Sequence, residues 1–338
     1  MKKRTAIGIL ISAAFLFFAF RNSDPRLILR GLARTDPMAV ALVFCVMILS
    51  IFFRALRWKI LFRSIHEIGL HSLFAAASIG LMANNLLPAR LGEVVRAWVI
   101  GERESISKSS AMATIVLERV LDGFTVLAFL AVMLLWRSEL VPGPLRKIAW
   151  VALGICLVAS AALVVIRRRR ETVEKLAGRA LKLLPDNAAD RAGEITRAFI
   201  DGLGALHSAG DVALSFGVSF LVWLPNIVAV EIILRSFDLS LPLQASLVVF
   251  TMVTFGIMIP SAPGFVGTIQ YFFVLALGLY GVAESLALSA SIAYHVSVFI
   301  PLTASGLFFM ARQGLSLGSM RKRAGGGVND VLDRPRGR

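Results

Sequence analysis

The 338-residue chain has only two cysteines and four histidines, and charged side chains at just 17% of positions. Each shortage excludes a class. Cys45 and Cys156 sit singly within apolar runs, so neither a disulfide scaffold nor a CxxC thiolate site is available. His66, His71, His207 and His295 have no metal-ligand spacing. The sequence lacks a phosphate-binding loop ending in Lys-Ser/Thr, an HExxH, a GxSxG and a dinucleotide fingerprint. No metal, cofactor or enzyme activity is therefore expected. The shortage of charge is matched by apolar excess, 57% against roughly 45–50% in an average soluble domain. With a mean hydropathy of +0.77, the bulk of the chain cannot stay unfolded in water. This composition indicates an integral membrane protein.

The net charge of +15 could suggest nucleic acid, but the basic residues cluster at the ends of apolar segments. Lys and Arg near a span resist crossing the bilayer, and they attract anionic lipid headgroups. The expected partners are membrane lipids with anionic headgroups and not nucleic acid.

A hydrocarbon core of about 30 Å needs roughly 20 apolar residues as helix. Such runs occur near 6–20, 38–56, 110–136, 148–166, 211–235 and 285–311. The first follows Met1-Lys2-Lys3-Arg4 but lacks a small-x-small cleavage site, so it reads as an uncleaved helix. Two further stretches, 72–101 and 244–282, break in the middle. One runs into Asn84-Asn85-Leu86-Leu87-Pro88-Ala89-Arg90-Leu91-Gly92-Glu93, the other into Pro260-Ser261-Ala262-Pro263-Gly264. Proline removes a backbone donor and glycine permits a tight reversal, so Pro-x-x-x-Gly recurs as a break between two half-length helices. Irregular backbone at membrane depth is tolerated only inside protein or against a wet cavity. Both stretches are candidate re-entrant hairpins; the alternative is an ordinary span kinked by Pro and Gly.

Charge placement favours the hairpins. Lys2–Arg4, Arg54–His71, Arg103 with Lys108, the loop 167–210 and the tail 311–338 together hold 25 Lys and Arg, against seven in 21–37 and 137–147. Putting the basic set in the cytoplasm requires 72–101 to enter and leave from inside, and 244–282 from outside. The expected fold is an all-α polytopic membrane protein, with about six full spans plus two re-entrant hairpins. Residues 1–136 and 148–311 would form an inverted-topology repeat, an architecture in which paired broken segments mark the midplane site of transporters. Loop 167–210 reads as two amphipathic helices on the cytoplasmic interface, and 312–338 as a basic, disordered tail.

Arg90, Glu93 and Arg96 lie at or just past the first break; Glu118, Arg119 and Asp122 fall inside the span 110–136. An ionisable group at the bilayer centre costs at least about 2.5–3.5 kcal/mol, so these six should pair. Glu118 and Asp122 share a helix face, and Arg119 can reach toward Glu93. Two readings stay open: ion pairs tying the hairpin to its neighbour, or guanidinium groups holding an anionic headgroup. At the second break a helix starting near Phe265 would offer free N–H groups to an anion. Gly264 and Gly267 would let backbone approach a ligand, with Thr268 and Gln270 adding hydrogen bonds. His295 has no visible partner in sequence; it either titrates with the site or hydrogen-bonds a neighbouring helix. Glu231, Asn226 and Pro225 read as a local kink and interface group.

The strings Asn85-Leu86-Leu87-Pro88-Ala89-Arg90-Leu91-Gly92-Glu93-x-x-Arg96, Glu118-Arg119-x-x-Asp122 and Pro260-x-x-Pro263-Gly264-x-x-Gly267-Thr268, in that order, resemble the lysylphosphatidylglycerol synthase transmembrane region, a flippase-like integral membrane family. The resemblance covers residues 5–312. It implies a membrane region that moves lipid between leaflets of the bacterial inner membrane, with both termini cytoplasmic. Full-length relatives add a soluble aminoacyl-transferase domain. The 27 residues after position 311 leave no room for one, so synthase activity is not expected. Many relatives carry Glu where this chain has Gln270, which removes a carboxylate there but keeps hydrogen bonding. The expected function is transfer of a phosphate-bearing lipid between leaflets: a phospholipid, aminoacyl-phosphatidylglycerol or polyprenyl-phosphate glycolipid. The alternative is a membrane subunit or scaffold of a lipid-modifying transferase.

Overall fold

A computed structural model describes residues 2–33, 35–63, 65–87, 91–136, 150–151, 154, 158, 178, 193, 209–259 and 261–318. Among these, all regular structure is helical. The helices are α1 (Lys2–Phe20), α2 (Pro25–Ala33), α3 (Pro37–Phe62), α4 (Leu70–Leu86), α5 (Gly92–Arg103) and α6 (Lys108–Trp136). After them come α7 (Ala209–Ser236), α8 (Leu243–Met258), α9 (Thr268–Gly278) and α10 (Glu284–Arg312). The expected span 148–166, the amphipathic loop 167–210 and the tail beyond 318 lie almost wholly outside the described residues, as do Pro88, Arg90 and Pro260.

Local chemistry sets the boundaries. Asp36 caps α3 by accepting from the Met38 N–H at 2.8 Å, with Pro37 in the first turn. Asp24 accepts likewise from Arg26 N–H at 2.8 Å at the start of α2. Helix α4 ends at Leu86 because Leu87, preceding a proline, is extended (φ −103°, ψ 144°). Ile259, preceding Pro260, is extended in the same way (φ −69°, ψ 132°) and ends α8. The stretch 21–37, expected as a loop, contains α2. Its exposed Leu27 and Leu29 beside Arg26 and Arg30 suit the membrane surface.

Among the described residues, three helices are long and apolar enough to cross a bilayer: Pro37–Phe62, Ala213–Ser236 and Glu284–Arg312. Helix α6 has comparable length (29 residues) but carries Glu118, Arg119 and Asp122. Leu10, Val296 and Phe308 are about half exposed or more, as side chains facing lipid should be. Helices α4 and α5 fold back on one another, with Gly92 and Asn84 in contact at one level and Gly80 and Arg96 at the next. A Cβ on Gly92 would collide with the Gly80 carbonyl, so glycine permits this backbone approach. Helices α8 and α9 form the second hairpin. With 12 and 11 residues, α5 and α9 reach only about 16–18 Å, well short of the hydrocarbon thickness.

Around the hairpins, α3 packs antiparallel on α7, α4 on α10, α5 on α6 and α9 on α10, while α1 lies along α9. One apolar core joins α3, α6, α7, α8, α9 and α10, and a second joins α3, α4, α5 and α6.

Candidate functional site

Four helices converge on one charged cluster. From α5, Arg96 grips Glu118 of α6 with both guanidinium nitrogens, Nη1–Oε2 at 2.6 Å and Nη2–Oε1 at 3.0 Å. The Arg96 guanidinium lies 3.5 Å over the ring of Trp58 of α3. The indole N–H of Trp58 in turn donates to Thr114 Oγ1 at 2.8 Å. Arg57 of α3, fully buried, donates through Nη1 to Asp122 Oδ1 at 2.7 Å and Ser219 Oγ of α7 at 2.9 Å, with Nε 3.8 Å from Glu118. Trp223 of α7 donates to the same Asp122 oxygen at 2.9 Å. Such buried charges persist because each is paired and hydrogen-bonded.

The cluster opens on one side. The Arg119 side chain is 44% exposed and bridges Asp122 Oδ2 at 3.2 Å and Glu93 Oε1 at 3.7 Å. Glu93 also accepts from Asn84 Nδ2 at 3.5 Å, and Asn84 Oδ1 accepts from the Gly92 N–H at 2.9 Å, which pins the start of α5 to α4.

The pairing of Glu93, Arg96, Glu118, Arg119 and Asp122 follows the sequence expectation, and Glu118 and Asp122 do share the face that meets Arg57. Arg57 itself was missed. Both Arg54 and Arg57 were counted with a cytoplasmic loop, whereas α3 continues to Phe62 and carries them inside. The signal was available: Arg54, Arg57 and Trp58 recur at helical spacing after an uninterrupted apolar run. Among the described residues, Arg57, Arg96 and Arg119 meet three carboxylates, Glu93, Glu118 and Asp122, and Arg54 lies over the Trp223 ring beside them.

The tips of the two hairpins meet. Pro263–Phe265 forms a single 3-10 turn in which Gly264 is left-handed (φ 71°). A Cβ on Gly264 would stand 3.5 Å from the Asn85 carbonyl oxygen and 3.2 Å from the Phe299 ring. Asn85 Nδ2 donates to Thr303 Oγ1 of α10 at 3.0 Å. Helix α9 begins at Thr268, not near Phe265, because Gly267 (φ 86°) intervenes. A Cβ on Gly267 would strike the Ser12 carbonyl of α1, so that glycine admits a helix and not a ligand. Ser12 Oγ also accepts from the Ala262 N–H at 2.8 Å. Gly264, likewise, is filled by protein.

Gln270 uses both ends of its amide. Oε1 accepts from the Gly267 N–H at 2.7 Å, and Nε2 donates to His295 Nδ1 at 2.9 Å. Through Gln270 the histidine joins the second break to α10. Thr268 is buried, with a hydroxyl oxygen that has no hydrogen-bond partner among the described residues. Glu231 accepts from Arg235 Nε at 2.7 Å and Ser246 Oγ at 2.6 Å, joining α7 to α8. Asn226 Nδ2 donates to the Val222 carbonyl at 3.2 Å and to Ser50 Oγ of α3 at 3.5 Å. Among the described residues no group of His, Cys, Asp and Glu could hold a metal ion.

Residues 5–306 match the family described as the lysylphosphatidylglycerol synthase TM region. The chain belongs to this family. It is a membrane protein with transmembrane helices. It is 28% identical over 328 residues to a UPF0104 membrane protein of Methanothermobacter thermautotrophicus, covering 91% of this chain and 95% of the relative. It is also 26% identical over 326 residues to a glycosyltransferase, AglD, of Haloferax volcanii, covering 85% of this chain. This chain spans about half, 51%, of that longer protein. Over 127 residues it is 33% identical to a UPF0104 membrane protein of Methanocaldococcus jannaschii, covering 36% of this chain and 37% of the relative.

Proposed function

We propose that this protein moves a phosphate-bearing lipid between the leaflets of a cytoplasmic membrane, with both termini in the cytoplasm and the headgroup passing between the two hairpins. The observation that carries this reading is the contact of two short hairpin tips at Asn85 and Gly264, next to a charged cluster open at Arg119.

An inverted repeat is supported by reciprocal packing. If α3–α6 correspond to α7–α10, each neighbour pair has its counterpart: α4/α5 with α8/α9, α5/α6 with α9/α10, α3/α4 with α7/α8 and α3/α6 with α7/α10. The contacts between halves obey the same exchange, α4/α10 with α8/α6 and α3/α10 with α7/α6, while α3/α7 maps onto itself. Arg119 and His295 stand equally far into α6 and α10. Such a two-fold relation suits alternating access, in which one half rocks against the other.

The site in this reading comprises Asn85, Arg90, Glu93, Arg96, Glu118, Arg119 and Asp122 on one side, and Pro260, Pro263, Gly264, Gly267, Thr268, Gln270 and His295 on the other. Arg96 and Gln270 hold the frame, and Arg119 meets the headgroup. Family membership favours lipid as cargo. The resemblance to a glycosyltransferase supports a second reading, the membrane part of a lipid-modifying transferase acting alongside a catalytic partner.

Reconstitution in liposomes with leaflet-labelled phospholipid tests the proposal. The parent should exchange lipid between leaflets and Arg119→Ala should do so several-fold more slowly. Equal exchange in both, or none above protein-free liposomes, removes the carrier reading. A lipid species missing from a deletion strain by mass spectrometry would favour the transferase reading.

A further inference from the structure

The two bonds of Gln270 fix where a proton can sit on His295. A main-chain N–H can only donate, so the group facing Gly267 N–H at 2.7 Å must be the amide oxygen. The amide nitrogen is thereby turned to His295 Nδ1 at 2.9 Å, and it too can only donate. Nδ1 must accept, so it carries no proton. The imidazole is neutral, with its one proton on Nε2. A proton added at Nδ1 would set two donors against each other. Turning the amide over gives no relief, because its NH2 would then face the Gly267 N–H. Once His295 is charged, no orientation of Gln270 satisfies both neighbours.

Among the described residues no anion offsets such a charge. Helix α9 and the Pro263–Phe265 turn carry none, and Tyr271 of α9 is stacked on Phe15. On α4 the one titratable group is His71, at the start of the helix against Phe309. On α10 itself the charges, Glu284 and Arg312, stand at the two ends, and Tyr294 lies against Phe273. Helix α1 is charged only at residues 2–4, and Arg26 and Arg30 of α2 are exposed. On α3, Arg54 and Arg57 belong to the charged cluster and Lys59 is exposed. On α7, Glu231 pairs with Arg235, and Asp211 with Arg63. The Phe299 ring, 6.0 Å from the imidazole, supplies no counter-charge. His295 is only partly buried, so a proton can reach it. We propose that Gln270 and His295 form a latch that holds the second hairpin to α10 only while His295 is neutral, and that protonation releases the tip of that hairpin. The tip is the turn at Gly264 that meets Asn85 and Phe299. The latch goes beyond the carrier reading and does not rest on it.

Two measurements on the full chain in detergent test the latch, at about pH 8 and about pH 5, which bracket the ordinary histidine value. Nitrogen-15 NMR of the histidine-labelled protein, with the His295→Gln spectrum subtracted, reads the tautomer. At the higher pH His295 should show a bare Nδ1 and a protonated Nε2. Hydrogen exchange, corrected for its intrinsic pH dependence, reads the hairpin. Peptides spanning 262–272 should exchange about fivefold faster or more at the lower pH, as stranding one buried donor requires. His295→Gln offers an oxygen to the same amide and cannot take the proton, so this acid step should vanish. Gln270→Glu presents an acceptor to both neighbours; a charged His295 can then donate to it, and the hairpin should stay protected in acid. His71→Gln, away from the latch on α4, should keep the parent's step. Should either latch variant fail to fold, the parent's tautomer and acid step together with the other variant still decide the matter. A protonated Nδ1 at the higher pH, equal protection of the parent at both pH values, the same step in folded His295→Gln, or its loss in His71→Gln would each overturn the latch. So would a folded Gln270→Glu that loosens in acid as the parent does. Leaflet exchange enters none of these readouts, so the latch and the carrier reading stand or fall separately.

Discussion

Arg96 and Glu118 form a two-pronged ion pair, 2.6 and 3.0 Å, that bolts the returning arm of the first hairpin to α6. Both side chains are almost wholly withdrawn from the surface, and Trp58 closes the remaining face of the guanidinium. Breaking one partner should therefore hurt more than removing both. We expect Glu118→Ala to cost about 3–5 kcal/mol, and Arg96→Met with Glu118→Leu to cost less than either single change. Thermal unfolding in detergent measures the series. A double variant less stable than both singles would show that the pair does not act as a unit.

The crossing of α4 and α5 depends on Gly92 lying against the Gly80 carbonyl. Gly92→Ala should separate the helices at a cost of about 1–3 kcal/mol, the usual range for overpacking. Gly217 is the control, since a Cβ there meets nothing within 4 Å. Gly217→Ala should be neutral or stabilising by up to about 1 kcal/mol through helix propensity. Melting temperatures of the two purified variants should move in opposite directions or, at least, only the Gly92 variant should fall.

Gln270 satisfies two groups at once, the Gly267 N–H and His295 Nδ1. Gln270→Leu leaves both without a partner, and each stranded buried group costs about 1–3 kcal/mol. The variant should melt well below the parent. An unchanged melting temperature would mean that the second break is held by something other than this amide.

Each hairpin should return to the side from which it came. In a background with Cys45 and Cys156 replaced by Ala, Glu67→Cys and Ser107→Cys flank the first hairpin at exposed positions. Ser240→Cys and Ala283→Cys flank the second, also exposed. A membrane-impermeant thiol reagent should label the first pair from one compartment and the second pair from the other. Labelling of Glu67→Cys and Ser107→Cys from opposite compartments would make the first stretch a full crossing.

Apolar runs, Pro/Gly breaks and the ends of α6, α7 and α10 were legible from the chain alone, because bilayer thickness and the missing proline N–H act locally. The motif pairing of Glu118 and Asp122 with nearby arginines was legible too, since i,i+4 spacing fixes a face and an unpaired charge in lipid is too costly. What only the tertiary structure decided was which arginine meets which acid. Arg57 and Arg54 looked like loop charges until α3 proved to run on to Phe62 and to pack along α7, which brings Trp223 and Ser219 to them. In the same way Gly264 and Gly267 looked like openings for a ligand until Asn85, Phe299 and α1 were found in that space. A glycine permits close approach, but its sequence context does not say what approaches; that depends on helices packed from distant parts of the chain.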